Sequence, residues 1–253
     1  MFCQHMLFTK LMSTNNVQQS TLSIPLLPGH PMSATPNTTP PAKRKARGRP
    51  KLATPAEQRA KIVEATRQLF LTQGYGSTTM SEVAAHCRAS KRTLYELFPS
   101  KTDLLGAVIE QHRTTMLALP GDYAGLDLSQ ALEQIFQVDI SEEEDKAREA
   151  FLNLTIVEAA RYPEVGEMMI RLGGDKAHAL LADWMEEKKQ AGQMFIDDTA
   201  SAARMLMDMM FGAIVTKKGA HVEWPGLDAR KDYMRRCIRI FVHGTGVRPV
   251  PET

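Results

Sequence analysis

Apolar side chains recur at helical spacing over most of the chain from residue 54 onward. Between Leu128 and Phe136, for example, they fall at i, i+3, i+4, i+7 and i+8, which is the spacing of one helix face. No stretch alternates convincingly between apolar and polar residues, as a half-buried strand would. The sequence therefore predicts an all-α fold.

Two short helices are predicted close together between residues 79 and 98, joined by a tight polar turn. Thr79 and Glu82 form a capping box for the first helix, and Ser90 is a suitable N-cap for the second. Pro99 then stops the second helix. Two helices in this arrangement form a helix-turn-helix unit, whose second helix enters the DNA major groove.

A longer helix is predicted immediately before this unit and would cover it. Thr54 and Pro55 fit the pattern of a cap residue followed by proline at the first helical position, and Gly74 is a suitable C-cap. We therefore place a three-helix DNA-binding domain at residues 53–100.

The residues in and around this unit carry a family pattern that extends over positions 55–108. The positions concerned are Gly74-Tyr75, Thr78-Thr79, Val83-Ala84, Ser90, Thr93-Leu94-Tyr95, Phe98, Ser100-Lys101 and Leu104-Leu105. In this order they resemble the TetR family of transcriptional regulators. The segment VEAARYPEVGEMM also resembles the C-terminal domain of AefR-type regulators. The resemblance implies a homodimeric repressor that leaves a pseudo-palindromic operator when a small molecule binds its C-terminal domain.

By position, the resemblance implies that the helix starting at Ser90 recognises DNA. Lys91, Arg92 and Thr93 stand at its start, and Tyr95 and Lys101 match residues that contact the DNA backbone. Arginine suits bidentate contacts to guanine, and hydroxyl groups suit phosphate oxygens. The full predicted set is Thr79, Arg88, Ser90, Lys91, Arg92, Thr93, Tyr95 and Lys101.

Arg88 departs from the family pattern, in which this turn usually carries glycine. A residue with a side chain costs about 1 kcal/mol or more in a left-handed conformation. Either the turn follows a different path, or Arg88 accepts strain and brings positive charge near DNA. We interpret the neighbouring Cys87 as a small buried side chain rather than a redox sensor.

The segment before the first helix has two parts. Residues 1–42 are predicted to be disordered, because a segment rich in Ser, Thr, Pro, Asn and Gln cannot bury enough apolar surface. Residues 43–52 form a basic arm in which Arg47, Arg49 and Lys51 are predicted to bind DNA. The Arg-Gly-Arg-Pro core resembles an AT-hook, which lies in the narrow minor groove of A·T-rich DNA. A generic arm that touches phosphates and a nuclear-localisation signal are the alternatives.

Residues 101–245 are predicted to form a helical ligand-binding and dimerisation domain, followed by a tail at 246–253. Within the domain, Gly173-Gly174 is expected to separate two helices. A ligand cavity is expected among residues 104–214, with an apolar lining that favours a hydrophobic or aromatic effector. The candidates for polar or stacking contacts are Glu158, Arg161 and Trp184, each with a structural role as the alternative.

Two wide apolar stripes mark the last two helices and exceed what one small domain would bury. In TetR relatives this helix pair forms a four-helix bundle with the partner subunit. Methionine suits an irregular interface or an adaptable ligand cavity, with ordinary core as the alternative. The predicted interface residues are Met205, Met209, Ile214, Tyr233, Cys237 and Phe241.

Composition narrows the function further. The net charge is only +2, although basic residues are concentrated in the first hundred positions. The 3 cysteines lie far apart, as expected of free thiols in a reducing cytoplasm. No apolar run approaches the ~20 residues that a membrane span requires.

Motifs of catalysis, cofactor binding and metal binding are missing from the sequence. It contains no Walker A motif, no GxGxxG after a strand, no HExxH and no zinc-type Cys/His spacing. We therefore predict a cytoplasmic regulator without enzymatic activity or cofactor, whose partners are operator DNA and a small-molecule effector. The alternatives are an architectural or activating DNA-binding protein without an effector, and an all-helical enzyme.

Overall fold

The computed structural model describes residues 54–212 and 226–246, and these residues form helices joined by turns and loops. This confirms the predicted fold class. The predicted tail at 1–42, the basic arm with Arg47, Arg49 and Lys51, residues 247–253 of the predicted C-terminal tail, and Ile214 lie outside the described residues. The helices are α1 Pro55–Gln73, α2 Met80–His86, α3 Lys91–Leu97, α4 Lys101–Met116, α5 Leu128–Ile135, α6 Glu142–Ala159, α7 Pro163–Met168, a π-helical segment Met169–Asp175, α8 Lys176–Gln190, α9 Thr199–Phe211 and α10 Leu227–Thr245.

Reciprocal side-chain caps fix where several helices begin. In each cap, a hydroxyl accepts the backbone N–H of the third helical residue, while the carboxylate of that residue accepts the N–H of the cap residue. Two backbone donors that lack helical partners are satisfied in this way. The pairs are Thr54 and Glu57 for α1, Thr79 and Glu82 for α2, and Ser141 and Glu144 for α6.

The chain stays helical from Pro163 to Gln190, so the prediction that Gly173-Gly174 separates two helices is wrong. The glycine pair lies within the π-helical segment, which packs against α4. At Gly106 of α4 the approach of this segment is close, because an added Cβ would lie 3.3 Å from Leu172 Cδ1. Tertiary packing of this kind outweighs the low helix propensity of glycine.

Two hydrophobic clusters organise the described residues. One combines α1, α2 and α3 with apolar side chains of α4, α6 and α7, including Phe151 and Val165. The other is built mainly from α5, α8, α9 and α10 and includes Trp184. Since the first cluster continues past residue 100, the DNA-binding helices share their core with α4, α6 and α7.

His112 on α4 is buried against Phe151 of α6, with 4.5 Å between the ring centroids. Burial, together with the nearby positive charges of Arg148 and Arg67, lowers the pKa of His112 to about 4. The imidazole is therefore neutral in the folded protein at neutral pH.

We expect His112 to make the stability of the protein depend on pH. The pKa of the unfolded side chain is 6.5, so the stability is fully present above that pH and is lost as the pH falls towards 4. The loss is on the order of 3 kcal/mol. Urea denaturation across this range should therefore show a shallower pH dependence of the unfolding free energy for His112→Gln.

The exposed His243 supplies the matched control, and His243→Gln should follow the wild-type profile. Glu64 and Glu144 line the same cavity as His112 but are present in every variant, so their titration cancels in the comparison. Parallel profiles for His112→Gln and wild type would contradict the prediction.

Candidate nucleic-acid interface

Positive side chains project from the start of α3. Lys91 and Arg92 are exposed, and 89% of the Arg92 side chain is accessible to solvent. Arg92 Nε lies 2.8 Å from Glu96 Oε1, one turn later on the same helix. A surface ion pair of this kind contributes at most about 1 kcal/mol. The guanidinium can therefore exchange Glu96 for a base edge or a phosphate at little cost.

The turn before α3 adds a further exposed cation. Arg88 has a φ of 54°, in the left-handed region, so it takes the conformation that glycine usually supplies. Of the two alternatives, a different path of the turn or a strained Arg88, the structure therefore shows the strained Arg88. The Cys87 side chain is buried, with its Sγ 3.6 Å from the Ala84 carbonyl oxygen, as the prediction of a small core residue requires.

The predicted hydroxyl contacts divide into two kinds. Thr79 Oγ1 donates to Glu82 Oε2 at 2.7 Å, and Ser90 Oγ accepts the Thr93 N–H at 3.0 Å. These hydroxyls thus serve first as helix caps. Tyr95 is different, because its side chain is 50% exposed and stands on the outer surface of α3.

Lys101 turns towards the protein rather than outward. Its Nζ donates to the carbonyl oxygens of Tyr75 at 3.0 Å and Gly76 at 3.2 Å, and lies 4.4 Å from the centroid of the Tyr75 ring. The ammonium group therefore holds the loop between α1 and α2. Two of the three ammonium N–H groups are used in this way, so the predicted contact of Lys101 with DNA would have to use the third.

The same loop is held from the C-terminal side by α6 and by the residue before α7. The Gly76 N–H donates to Glu158 Oε2 at 3.0 Å, and the Tyr162 ring packs edge-on against Tyr75 at 5.4 Å. An added Cβ at Gly76 would collide with the Tyr162 hydroxyl, so glycine permits this approach. We call the contacts of Tyr75 and Gly76 with Lys101, Glu158 and Tyr162 the loop clamp.

The three residues predicted to contact an effector lie in different surroundings. Glu158 belongs to the loop clamp, Arg161 is exposed, and Trp184 is buried in the cluster of α5 and α8 to α10. A cavity of about 200 Å³ instead lies between α1, α4 and α6. Its polar and charged lining includes Glu64, Arg67, Gln111, His112, Gln137 and Arg148. Sequence reasoning missed this set, because its members come from separate helices and each resembles an ordinary surface residue of its own helix.

The predicted interface residues also divide. Met205 on α9 is 63% exposed, and Ile240 on α10, which is not among the predicted interface residues, is 60% exposed. Cys237 and Phe241 are buried within the chain, and the Tyr233 hydroxyl donates to the Met209 carbonyl oxygen at 2.9 Å. These inner residues join α9 to α10, whereas Met205 and Ile240 present apolar surface.

Other kinds of site find no support in the structure. Over residues 54–212 and 226–246, no cluster of three or more His, Cys, Asp and Glu side chains is arranged to hold a metal ion. In the same ranges, none of the helices combines the length and apolar character needed to cross a membrane. The cations around α3 are therefore the chemical feature on which a functional interpretation rests.

Comparisons with known proteins agree with this geometry. Residues 62–108 match the family of bacterial regulatory proteins named tetR, and residues 130–244 match the C-terminal domain of AefR-like transcriptional repressors. The HTH-type transcriptional regulator UidR of Escherichia coli strain K12 is 28% identical over 198 residues, which cover 74% of this chain and 91% of UidR.

Solved structures show the same fold. GusR of Salmonella enterica has a TM-score of 0.53 at 26% identity, covering 76% of this chain and 99% of GusR. A TetR-family regulator from Mesorhizobium loti has a TM-score of 0.56 at 20% identity, covering 78% of this chain and 100% of its own. The matched families are transcriptional regulators, which confirms the prediction that the chain is not an enzyme.

We expect Arg88→Gly to stabilise the protein and to weaken its binding to DNA. Glycine avoids the steric cost of the left-handed conformation, about 1 kcal/mol, although its greater freedom in the unfolded chain offsets part of this gain. Loss of the cation should also lower the dependence of DNA affinity on salt. Thermal denaturation and DNA titrations at several salt concentrations measure the two effects.

Arg88→Lys is the matched control, because it keeps both the charge and a side chain at the strained position. It should resemble wild type in both measurements. A lower Tm for Arg88→Gly, or a salt dependence equal to that of wild type, would contradict the prediction.

Proposed function

This chain belongs to the TetR family of DNA-binding transcriptional regulators, and from that premise we propose that it is a homodimeric repressor released from its operator by a small molecule. The exposed cations at the start of α3 are the observation that carries the proposal. In a helix-turn-helix unit, the N-terminal residues of the second helix contact base edges in the major groove. Lys91, Arg92 and Thr93 hold those positions.

The individual contacts follow from the chemistry of each side chain. Arg92 is suited to a bidentate contact with guanine, because its guanidinium is exposed and held only by a surface ion pair. Lys91 and Arg88 are suited to phosphates, which attract positive charge without regard to sequence. The half-exposed Tyr95 is suited to a phosphate oxygen through its hydroxyl.

The basic arm at residues 43–52 would extend this interface. Arg47, Arg49 and Lys51 would enter or follow the adjacent minor groove, where A·T-rich DNA has enhanced negative potential. Such an arm adds affinity and salt dependence, while the choice of operator stays with α3.

A dimer through α9 and α10 would place two α3 helices in successive major grooves, about 34–36 Å apart on a pseudo-palindrome. The exposure of Met205 and Ile240 supports this surface, because apolar side chains on neighbouring helices favour contact with another protein surface. Beneath this surface, the buried Cys237 and Phe241 pack α10 against α9 within the chain.

Release by an effector requires a connection between the C-terminal domain and α3, and the loop clamp supplies one. Glu158 and Tyr162 hold the loop between α1 and α2 from one side, while Lys101 of α4 holds it from the other. A ligand that shifts α4 or α6 would displace this loop and change the separation of the two α3 helices. A coupling free energy of ~1–3 kcal/mol is sufficient for effector control.

Substitutions at the start of α3 should separate base recognition from phosphate binding. Arg92→Ala is expected to cost about 1–3 kcal/mol of operator binding and to relax the preference at one base pair. Lys91→Ala should weaken binding to every sequence and lower the salt slope by about one. Fluorescence anisotropy with DNA fragments that the protein selects from its own genome measures both.

Arg161→Ala serves as the control, because Arg161 is exposed but lies outside the helix-turn-helix unit. It should bind the selected fragments as wild type does. Undiminished operator binding and selectivity in Arg92→Ala would overturn the proposed role of α3.

Charge at the proposed subunit interface should separate the dimer. The double variant Met205→Glu and Ile240→Glu is expected to sediment as a folded monomer. A dimer would bury its new carboxylates without partners, at a cost on the order of several kcal/mol. Analytical ultracentrifugation and circular dichroism give the mass and the helicity. Val157→Glu, at another exposed apolar position, is the matched control and should remain dimeric. A dimeric double variant would place the interface elsewhere.

A further inference from the structure

The cavity between α1, α4 and α6 contains a half-buried arginine, Arg148, that makes no ion pair with any of the described carboxylates. Nε of Arg148 is buried and has no hydrogen-bond partner among the residues that the structure describes. Its terminal nitrogen donates to Gln137 Oε1 at 3.3 Å, which is a neutral acceptor. Burial lowers the pKa of Arg148 to about 10, which reflects how poorly this charge is compensated. A cation whose Nε is buried and unpaired gains stability from an anionic partner.

The acidic groups near Arg148 are already bound to other residues. Asp145 and Glu144 flank it on α6, and Glu64 lines the same cavity from α1. Each of these carboxylates makes its own hydrogen bonds or ion pair, so none of them neutralises Arg148 by direct contact. Their partners are Arg230 for Asp145, Ser141 for Glu144 and Arg67 for Glu64.

Two further polar groups in the cavity wall lack partners. His112 Nε2 and Gln111 Oε1 are both buried without a hydrogen bond to any described residue. A neutral imidazole carries one N–H, and an amide can turn its NH2 end inward by rotation. With the Nε–H of Arg148, three groups that line the cavity and lack partners can each supply a donor. A set of donors without acceptors suits an oxyanion better than a cation.

Gln137 holds the guanidinium of Arg148 in position. Its amide nitrogen donates to the Thr114 carbonyl oxygen at 2.6 Å, while its Oε1 accepts from Arg148. The backbone of Gln137 has a φ of 49°, in the left-handed region that side chains disfavour. The conformation is that of a common helix ending, in which the Val138 N–H donates to the Glu133 carbonyl oxygen at 3.0 Å, and it sets where the Gln137 side chain leaves the end of α5.

We propose that this cavity binds a small carboxylate whose oxygens are held by Arg148, His112 and Gln111. The planar guanidinium matches a carboxylate in shape and charge. The cavity has a volume of about 200 Å³. Since an apolar cavity of ~150 Å³ admits benzene, an acid with a single ring is a fitting size. The methyl groups of Thr115 and Ala147, which also line the cavity, suit its ring.

The position of the cavity gives such a ligand a regulatory consequence, which rests on the proposed function. Arg67 belongs to α1 of the DNA-binding unit, His112 to α4, and Arg148 to α6. A carboxylate held there would draw α4 and α6 together beside α1. Because Glu158 of the loop clamp also lies on α6, the ligand would alter how the DNA-binding helices are held.

Isothermal titration of the full chain without DNA tests the site directly. The probes are benzoate and phenylacetate, with benzamide and phenylacetamide as neutral counterparts of the same shape. We expect the acids to bind at least about tenfold more tightly than the amides, because the charged hydrogen bonds are lost in the latter. Arg148→Gln should reduce acid binding by a similar factor, whereas the exposed Arg171→Gln should not.

Gln137→Gly is the second variant, because glycine suits the left-handed backbone and the protein should fold even if Arg148→Gln does not. It should also weaken acid binding, since Arg148 loses the group that orients it. Equal binding of acids and amides, or undiminished binding by folded Arg148→Gln, would each overturn the site, and so would the absence of binding by both acids and by sulfate. Binding of sulfate without either acid would overturn the assignment to carboxylates.

Anisotropy with selected DNA fragments then separates the site from the regulatory function. If benzoate or phenylacetate releases DNA from the wild type but not from Arg148→Gln, the result supports both the carboxylate site and its regulatory consequence. Acid binding that leaves DNA affinity unchanged supports the site and overturns its regulatory consequence. A wild-type chain that binds the acids but no specific DNA would overturn the proposed function while the carboxylate site stands.

Discussion

The loop clamp is the contact on which the rest of the structure depends. The loop between α1 and α2 buries the Tyr75 ring but belongs to no helix, so several of its backbone groups must find partners outside it. Glu158 accepts one of these N–H groups, and Lys101 donates to two of the carbonyl oxygens. Because the partners come from α4 and α6, the helix-turn-helix unit is positioned by the C-terminal domain.

Shared apolar packing makes this dependence stronger. The core beneath α2 and α3 is completed by Phe151 of α6 and Val165 of α7, so the DNA-binding helices are not packed as an independent domain. A rearrangement of α6 would therefore reach α3 through both the core and the clamp. This is the physical basis for expecting a ligand in the C-terminal half to influence DNA binding.

Two arginines illustrate how surroundings assign different roles to one residue type. Arg92 is exposed, and water screens its ion pair with Glu96, so its charge is available to DNA. Arg148 lies with its Nε buried beside the neutral His112, where an uncompensated charge interacts more strongly with a ligand. The first residue suits a reversible surface contact, and the second suits a small specific site.

The sequence by itself determined the helices, their caps and the location of the DNA-binding unit, because these depend on neighbours a few residues apart. The capping box of Thr79 and Glu82 and the buried Cys87 were predictable in this way. The resemblance to the TetR family identified Arg88 as a departure in the turn, and the structure shows that Arg88 is left-handed there.

Contacts between distant segments were decided only by the tertiary structure. Lys101, which is predicted to contact DNA, also donates to the carbonyl oxygens of Tyr75 and Gly76. Gly173-Gly174 is held in a helix by packing on α4. Arg148 and His112 lie far apart in the chain, and only the crossing of α4 and α6 buries them together. Burial changes the energy of a charged or polar group far more than its sequence neighbours do, which is why these sites required the fold.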